Sequence, residues 1–171
     1  MITGDFDDPA SLERLAAETD LVTYEFENVP VAALAAVAKS RPCHPPVEAL
    51  RVSQDRLLEK ELFGRLGIPT PAFRAVDSLA DLRAAVAAIG LPCVLKTRRL
   101  GYDGRGQHYL RRPSDIAAAW KALGGVPLIL EGFVDFDREV SIIGARSSRG
   151  ETRCYPLCGN SHREGILRVT L

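Results

Sequence analysis

Apolar and polar positions along the 171 residues switch repeatedly between a helical and an extended period. Asp8 before Pro9 is a helix-start signal, and Leu12, Leu15 and Ala16 supply the apolar stripe of a helix ending near Thr19-Asp20. Leu21 to Phe26 is rich in β-formers and reads as a strand whose far end carries Glu25 and Glu27. Val31 to Lys39 is Ala-rich and helical, and Arg41-Pro42 to Pro45-Pro46 breaks it. The pattern predicts a further helix, capped by Ser53, over Gln54 to Leu66, closed by Gly67 and Pro69.

A second unit follows. Ala72 to Val76 reads as a strand, and Ser78 with Asp81 resembles a capping box for a helix stopping at Gly90. Leu91 to Lys96 is a short apolar run, the mark of a strand buried on both faces. A glycine-rich stretch, Thr97 to Gly106, leads into a strand at Gln107 to Leu110, and Ser114 or Asp115 opens a helix ended by Gly124-Gly125. Val126 to Leu130, Glu139 to Arg146 and Thr152 to Leu157 read as strands, the last two joined by the polar turn Ser147 to Glu151. Ile166 to Leu171 alternates like another strand. Helices and strands alternate throughout, so the fold class is α/β or α+β.

Composition narrows the function classes. Apolar residues are 46% and charged residues 26%, the proportions of a folded globular protein. Twenty-two basic residues cancel 22 acidic ones, which removes any global attraction to nucleic acid or an anionic membrane. The zero is uneven, however. Residues 1–30 carry eight acids against Arg14, a local charge of −7, whereas residues 96–112 carry six basic residues against Asp103, a local charge of +5. A concentrated cationic loop on a neutral chain points to a small anionic ligand. No apolar run reaches the ~20 residues of a membrane span, and the acidic start has no signal core. Cys43, Cys93, Cys154 and Cys158 are scattered, as reduced thiols of a cytoplasmic protein would be. Cys154, Cys158 and His162 are spaced like three metal ligands, but no fourth lies nearby, which argues against zinc.

The stretch Lys96-Thr-Arg-Arg-Leu-Gly101-Tyr-Asp-Gly104-Arg-Gly106-Gln107 carries the most chemistry. A lysine ending a buried strand is costly unless it meets an anion. Glycines at 101, 104 and 106 let the backbone approach a ligand and aim several N–H groups at it. The spacing matches neither the P-loop nor the dinucleotide fingerprint. A solvated hairpin with surface arginines would use the same residues.

Lys96 and residues 101–107 resemble the lysine and phosphate loop of the ATP-grasp enzymes. More specifically, the chain resembles the 5-(carboxyamino)imidazole ribonucleotide synthases of purine biosynthesis. The matching segments run in that family's order: Thr23 to Pro30, Gln54 to Lys60, Lys96 to Gln107, Glu131 to Val134, Arg138 to Ser141, Ala145-Arg146, Tyr155-Pro156 and His162 to Leu167. The resemblance implies a partial ATP-grasp fold preceded by the tail of a Rossmann-like domain. It divides the chain into 1–70, that tail with a linker helix; 71–130, a lid subdomain; and 131–171, the opening of the large nucleotide-binding subdomain.

The resemblance also implies roles. Arg56 would approach ATP phosphates, for which its fixed fork is suited; a surface helix arginine is the bland alternative. Lys96 would contact a phosphate, and Gly101, Tyr102, Asp103, Gly104, Arg105, Gly106 and Gln107 would fold over the phosphates as a lid. Glu131, Gly132, Phe133 and Val134 would receive adenine, Glu139 would accept from ribose hydroxyls, and His162 would contact the nucleotide. Read without the family, Glu139 serves equally as a salt-bridge partner of Arg138 or Arg146, and His162 and Asn160 are loop residues. Glu25 would contact the aminoimidazole, or else be an exposed acid; Asn160 would lie near bicarbonate.

The implied reaction is ATP-dependent carboxylation of 5-aminoimidazole ribonucleotide with bicarbonate through carboxyphosphate. Asp103, with Tyr102 and Arg105, would be catalytic, Asp103 handling the amine proton. Magnesium would be needed, with ligands expected outside this chain, and the parent enzyme would be a homodimer. Gly159 stands where an acidic residue is expected. The family's opening glycine-rich strand–helix and its late Asn-Glu pair have no counterpart here, so the expectation is a central fragment that does not turn over alone. Two alternatives remain: a non-catalytic ATP-binding fragment, and an enzyme like the formate-dependent phosphoribosylglycinamide formyltransferases. The Arg98-Arg99-Leu100-Gly101-Tyr102-Asp103 lid disfavours the second, because a small Ser/Gly-rich loop is expected there. Nucleic-acid binding is disfavoured by the neutral charge and the lack of a recognition motif.

Overall fold

Six helices and nine strands make up the computed structural model, which describes residues 1–102, 104–163 and 165–171. Helices α1 (Pro9–Glu18), α2 (Val31–Val37) and α3 (Val47–Ser53) gather around one apolar cluster of Ala16, Val22, Leu34, Val37, Cys43 and Leu50. Asp8 caps α1 by accepting from the Ser11 amide at 3.1 Å, with Pro9 in the first turn. The strand expected over Leu21 to Phe26 is not formed. Only Val22 pairs, in a single parallel bridge with Cys43. Its amide donates to Pro42 O and its carbonyl accepts from His44 N. The prolines at 42 and 45 have no N–H to extend that ladder.

The helix expected from Ser53 is also corrected. Ser53 is the last residue of α3, and the next helix, α4, spans Arg56–Arg65. Asp55 caps α4, accepting from the Leu57 amide at 2.9 Å. At its far end Gly67, with φ +69°, lets the Ile68 amide reach Phe63 O, the glycine-closed end foreseen.

Strands β1 (Phe73–Val76), β2 (Cys93–Thr97), β3 (Gln107–Leu110) and β4 (Leu128–Gly132) form one antiparallel sheet in the order β1-β4-β2-β3. Helices α5 (Leu79–Ile89) and α6 (Asp115–Leu123) cover one face. The capping box at the start of α5 is present: the Asp81 amide donates to Ser78 Oγ at 3.1 Å, and Ser78 Oγ donates back to the Asp81 carboxylate at 2.7 Å. Alternation along each strand sends Leu95, Leu128 and Leu130 into this core, with Val76, Leu82, Leu110 and Ala119. It leaves Val94, Lys96, Ile129 and Glu131 on the opposite face, where register pairs Val94 with Glu131 and Lys96 with Ile129.

The single strand expected over Glu139 to Arg146 is two, β5 (Glu139–Ser141) and β6 (Gly144–Arg146), which enter different sheets. Strand β6 pairs with β7 (Thr152–Cys154) around the turn Ser147–Glu151, while β5 joins β8 (Cys158–Arg163) and β9 (Ile166–Thr170). The strand expected to run to Leu157 therefore stops at Cys154. Asn160 and His162 lie within β8, not in a loop. No helix is long and apolar enough to cross a membrane among the described residues.

Candidate active site

The root of the glycine-rich loop is tied to the start of α4 by a set of charged contacts. The Arg56 guanidinium donates to Thr97 O at 3.0 Å and Gly101 O at 2.8 Å, spanning both ends of the turn that carries Arg98 to Leu100. The Arg56 amide donates to Arg98 O, and the Arg98 side chain forks back onto Asp55, with Nε and Nη2 both donating and a closest approach of 2.5 Å. Burial pushes the Asp55 carboxyl up, but the Arg98 guanidinium and the Leu57 and Leu58 amides outweigh it and hold the group below the usual carboxylate range. The Asp55 bond in turn raises Arg98 further above its ordinary value.

Gln54 completes the anchor. Its buried amide nitrogen donates at 2.6 Å to both Glu27 O and Val29 O, and its oxygen accepts from Arg99. One side chain thus joins the acidic segment to the cationic loop. A small polar cavity of about 180 Å³ opens beside it, lined by Glu27, Asn28, Arg56 and Glu59 with Leu100 and Gly101. Burial pushes the Glu59 carboxyl up.

The glycines fit this close geometry. A Cβ on Gly106, which has φ +70°, would stand 2.6 Å from Thr97 Oγ1, and one on Gly101 would stand 3.0 Å from the same atom. Thr97 Oγ1 is buried and makes no hydrogen bond among the described residues. Further along the loop Tyr102 is exposed, and Arg105 lies over its ring at 5.3 Å while donating to its hydroxyl at 3.1 Å. Asp103, the expected proton-handling carboxylate, lies outside the described residues. A Cβ on Gly104 would come 3.8 Å from Gly165 Cα, so the loop faces the β8–β9 turn.

Lys96 leaves the end of β2 and meets Glu131 of β4, Nζ to Oε2 at 3.1 Å; Lys60 of α4 reaches the same oxygen at 3.4 Å. Beyond Gly132 the chain leaves the sheet, and the exposed Phe133 meets Tyr109 edge-on with ring centres 6.3 Å apart. Glu139 pairs with His162 Nε2 at 3.4 Å across the β5–β8 ladder, rather than with Arg138 or Arg146. Asn160 Oδ1 accepts from Ser141 Oγ and Thr170 Oγ1. A Cβ on Gly159 would meet only Leu171 O at 3.9 Å, so packing does not demand glycine there. Glu25 is exposed in the loop before α2.

The structure therefore joins Arg56, Lys96, Gly101 and Glu131 between α4 and the two inner strands of the sheet, and sets Glu139, Asn160 and His162 together on a second sheet. Sequence reasoning gave no role to Gln54, Asp55, Lys60 or Arg98. The signal available was an N-capping Asp directly before Arg56, inside a segment already singled out.

A cationic glycine loop rooted on a helix start, beside a strand-end lysine and a strand-to-loop hinge, is the arrangement of the ATP-grasp class. Residues 61–171 match the ATP-grasp domain, and residues 1–54 match the ribonucleotide synthetase preATP-grasp domain. The chain belongs to the ATP-grasp family. It is 54% identical over 170 residues to the N5-carboxyaminoimidazole ribonucleotide synthase of Pseudomonas aeruginosa, covering 99% of this chain and 47% of that one. Among solved structures, the N5-carboxyaminoimidazole ribonucleotide synthetase of Thermus thermophilus superposes with a TM-score of 0.91 at 49% identity, over 99% of this chain and 45% of its own. The N5-carboxyaminoimidazole synthase of Aspergillus clavatus, solved with ADP and 5-aminoimidazole ribonucleotide, gives 0.87 at 27% identity, over 99% of this chain and 44% of its own. The chain spans about half the length of each of these three relatives.

Proposed function

We propose that the chain supplies the phosphate-loop and adenine-hinge half of an N5-carboxyaminoimidazole ribonucleotide synthase. Such an enzyme uses ATP to carboxylate 5-aminoimidazole ribonucleotide with bicarbonate, through carboxyphosphate. The observation that carries the reading is the loop root: Arg56 spans Thr97 O and Gly101 O, Asp55 fixes Arg98, and Lys96 stands on the face away from the apolar core beside them. A loop root fixed before the ligand arrives holds the loop's own amides in place, so less energy is lost to reorganisation when phosphoryl charge develops.

In this reading Lys96 and residues 101–107 hold phosphate oxygens, and Arg56, which also ties the loop's root, approaches the phosphates from α4. Glu131, Gly132, Phe133 and Val134 form the hinge that receives adenine, its apolar side chains burying the base while main-chain groups of the hinge read its edge. Glu139 accepts from ribose hydroxyls, with His162 beside it. Glu25 meets the aminoimidazole, Asn160 lies toward bicarbonate, and Tyr102, Asp103 and Arg105 act on the amine. Residues 1–70, 71–130 and 131–171 are the corresponding structural divisions. We assign a cytoplasmic location and a homodimeric whole enzyme on the family likeness alone. Magnesium would offset the phosphate charge in such a reaction, its ligands expected outside this chain; among the described residues no three His, Cys, Asp or Glu side chains converge to hold it.

Two measurements test the reading. Titration calorimetry of ATP into the 171-residue chain should give saturable binding that Lys96→Met abolishes; a folded chain with no ATP binding would overturn it. The reaction itself is tested by exchanging residues 1–171 for the matching half of the Pseudomonas aeruginosa relative. ADP release should then depend on both bicarbonate and aminoimidazole ribonucleotide, and release that ignores both would count against this assignment.

A further inference from the structure

Lys60 has no part in the nucleotide contacts proposed above, yet it is built into the same charge cluster. It lies four residues after Arg56 on α4, one turn along the same side of the helix. Its Nζ stands 3.4 Å from Glu131 Oε2, the oxygen that Lys96 approaches at 3.1 Å. The Glu131 side chain is 7% exposed, that of Lys60 16% and that of Lys96 27%. Two ammonium groups thus share one buried carboxylate, and the set carries a formal charge of +1.

That stoichiometry matters for Lys96. A buried carboxylate stripped of its last cation is strongly disfavoured. With a single lysine, the Glu131–Lys96 pair would be neutral and self-contained, and any move of Lys96 toward a phosphate would abandon Glu131. With Lys60 present, Glu131 keeps a partner whatever Lys96 does. The excess positive charge then falls to the more exposed lysine, which stands one residue before the end of its strand and the root of the glycine loop.

We infer that Lys60 is a positioning residue that neutralises Glu131 and so leaves Lys96 available to the phosphates of a bound nucleotide. The inference rests on the reading of Lys96 as a phosphate contact. It is tested by calorimetric titration of the 171-residue chain with ATP and, separately, with adenosine. Lys60→Met should lose about tenfold in ATP affinity, because Lys96 is then held by Glu131. Adenosine has no phosphate, so its affinity should not change. Lys60→Arg keeps the cation and should stay within about twofold of wild type. Lys60→Met combined with Glu131→Gln should recover most of the lost ATP affinity, since no buried carboxylate remains to hold Lys96. Should Lys60→Met fail to fold, Lys60→Gln carries the same expectation.

Equal losses for ATP and adenosine would assign Lys60 to the shape of the site and overturn the inference, as would unchanged ATP affinity in Lys60→Met. Wild-type binding of ATP that Lys96→Met leaves intact would remove the phosphate contact, and the inference with it. A folded wild-type chain that binds neither ligand would overturn the nucleotide reading itself.

Discussion

Strand β4 and strand β9 are built from similar residues and meet opposite environments. Leu128 to Glu131 of β4 are all buried, whereas only Ile166 of β9 is even half-buried. Strand β4 lies between β1 and β2, with α5 and α6 on one face of its sheet and the α4 lysine on the other. No helix covers β5, β8 and β9 among the described residues. The consequence is chemical as well as mechanical. Around β4 the polar and charged groups are fixed by partners: Asp55 by Arg98, Gln54 by two carbonyls, Glu131 by two lysines. On β5 and β8, Glu139 and His162 meet each other half in solvent.

The comparison breaks most visibly in the core. Leu130→Ala, at a side chain with no exposure, should cost about 3 kcal/mol, since the cavity is walled by strands and helices that cannot collapse into it. Val169→Ala, on an exposed strand, should change stability by less than about 0.5 kcal/mol. Urea denaturation of the two variants reads the difference, and equal losses would mean that β9 is packed as tightly as β4.

Next in size is the ion pair at the loop root. Asp55→Ala should cost about 2–3 kcal/mol, because it leaves the mostly buried Arg98 without a partner and removes the cap of α4. The same carboxylate sets a pH dependence. Its folded-state value lies below the unfolded one, so its contribution is complete above the unfolded value, near 3.8, and is lost as pH falls through the lower folded value. Acid titrations of unfolding should therefore be shallower in Asp55→Asn than in wild type below about pH 4. Identical acid limbs would show that the Arg98 pairing adds nothing to stability.

A third probe tests the joint between the acidic segment and the loop. Gln54→Leu keeps the bulk of the side chain but leaves the Glu27 and Val29 carbonyls and the Arg99 guanidinium without that partner. About 2 kcal/mol should be lost, with faster amide hydrogen exchange in residues 99–106 than in β9. Exchange that speeds up equally in both would mean a global effect rather than a local joint.

These residues also mark the limit of what the sequence displays. Local chemistry was legible: Asp8 before Pro9, Ser78 with Asp81, Gly67 after α4 and the buried run of β2 all act through neighbours within about one turn. Leu21 to Phe26 misled because its strand character depends on a partner segment, and that segment carries Pro42 and Pro45. Glu139 to Arg146 misled because a continuous β-rich run does not reveal that Ile142-Ile143 hands the chain from one sheet to another. In the site, the glycine loop and Lys96 stood out by composition. The roles of Gln54, Asp55 and Lys60 did not, since each depends on groups 25 to 71 positions away.

The smallest expected effect is on the open side. Glu139→Gln removes the charge from a pair whose side chains are 49% and 32% exposed. Solvent screens such a pair, and two side chains must be ordered to make it, so the change in stability should stay under about 0.5 kcal/mol. If Glu139 instead accepts from ribose hydroxyls, the substitution should weaken ATP binding severalfold while leaving the denaturation midpoint in place. That split between binding and stability is what separates an open ligand-facing carboxylate from the locked one at Asp55. A Glu139→Gln chain that loses stability and keeps its nucleotide affinity would reverse the contrast, making the β5–β8 pair structural and leaving the ribose without its proposed acceptor.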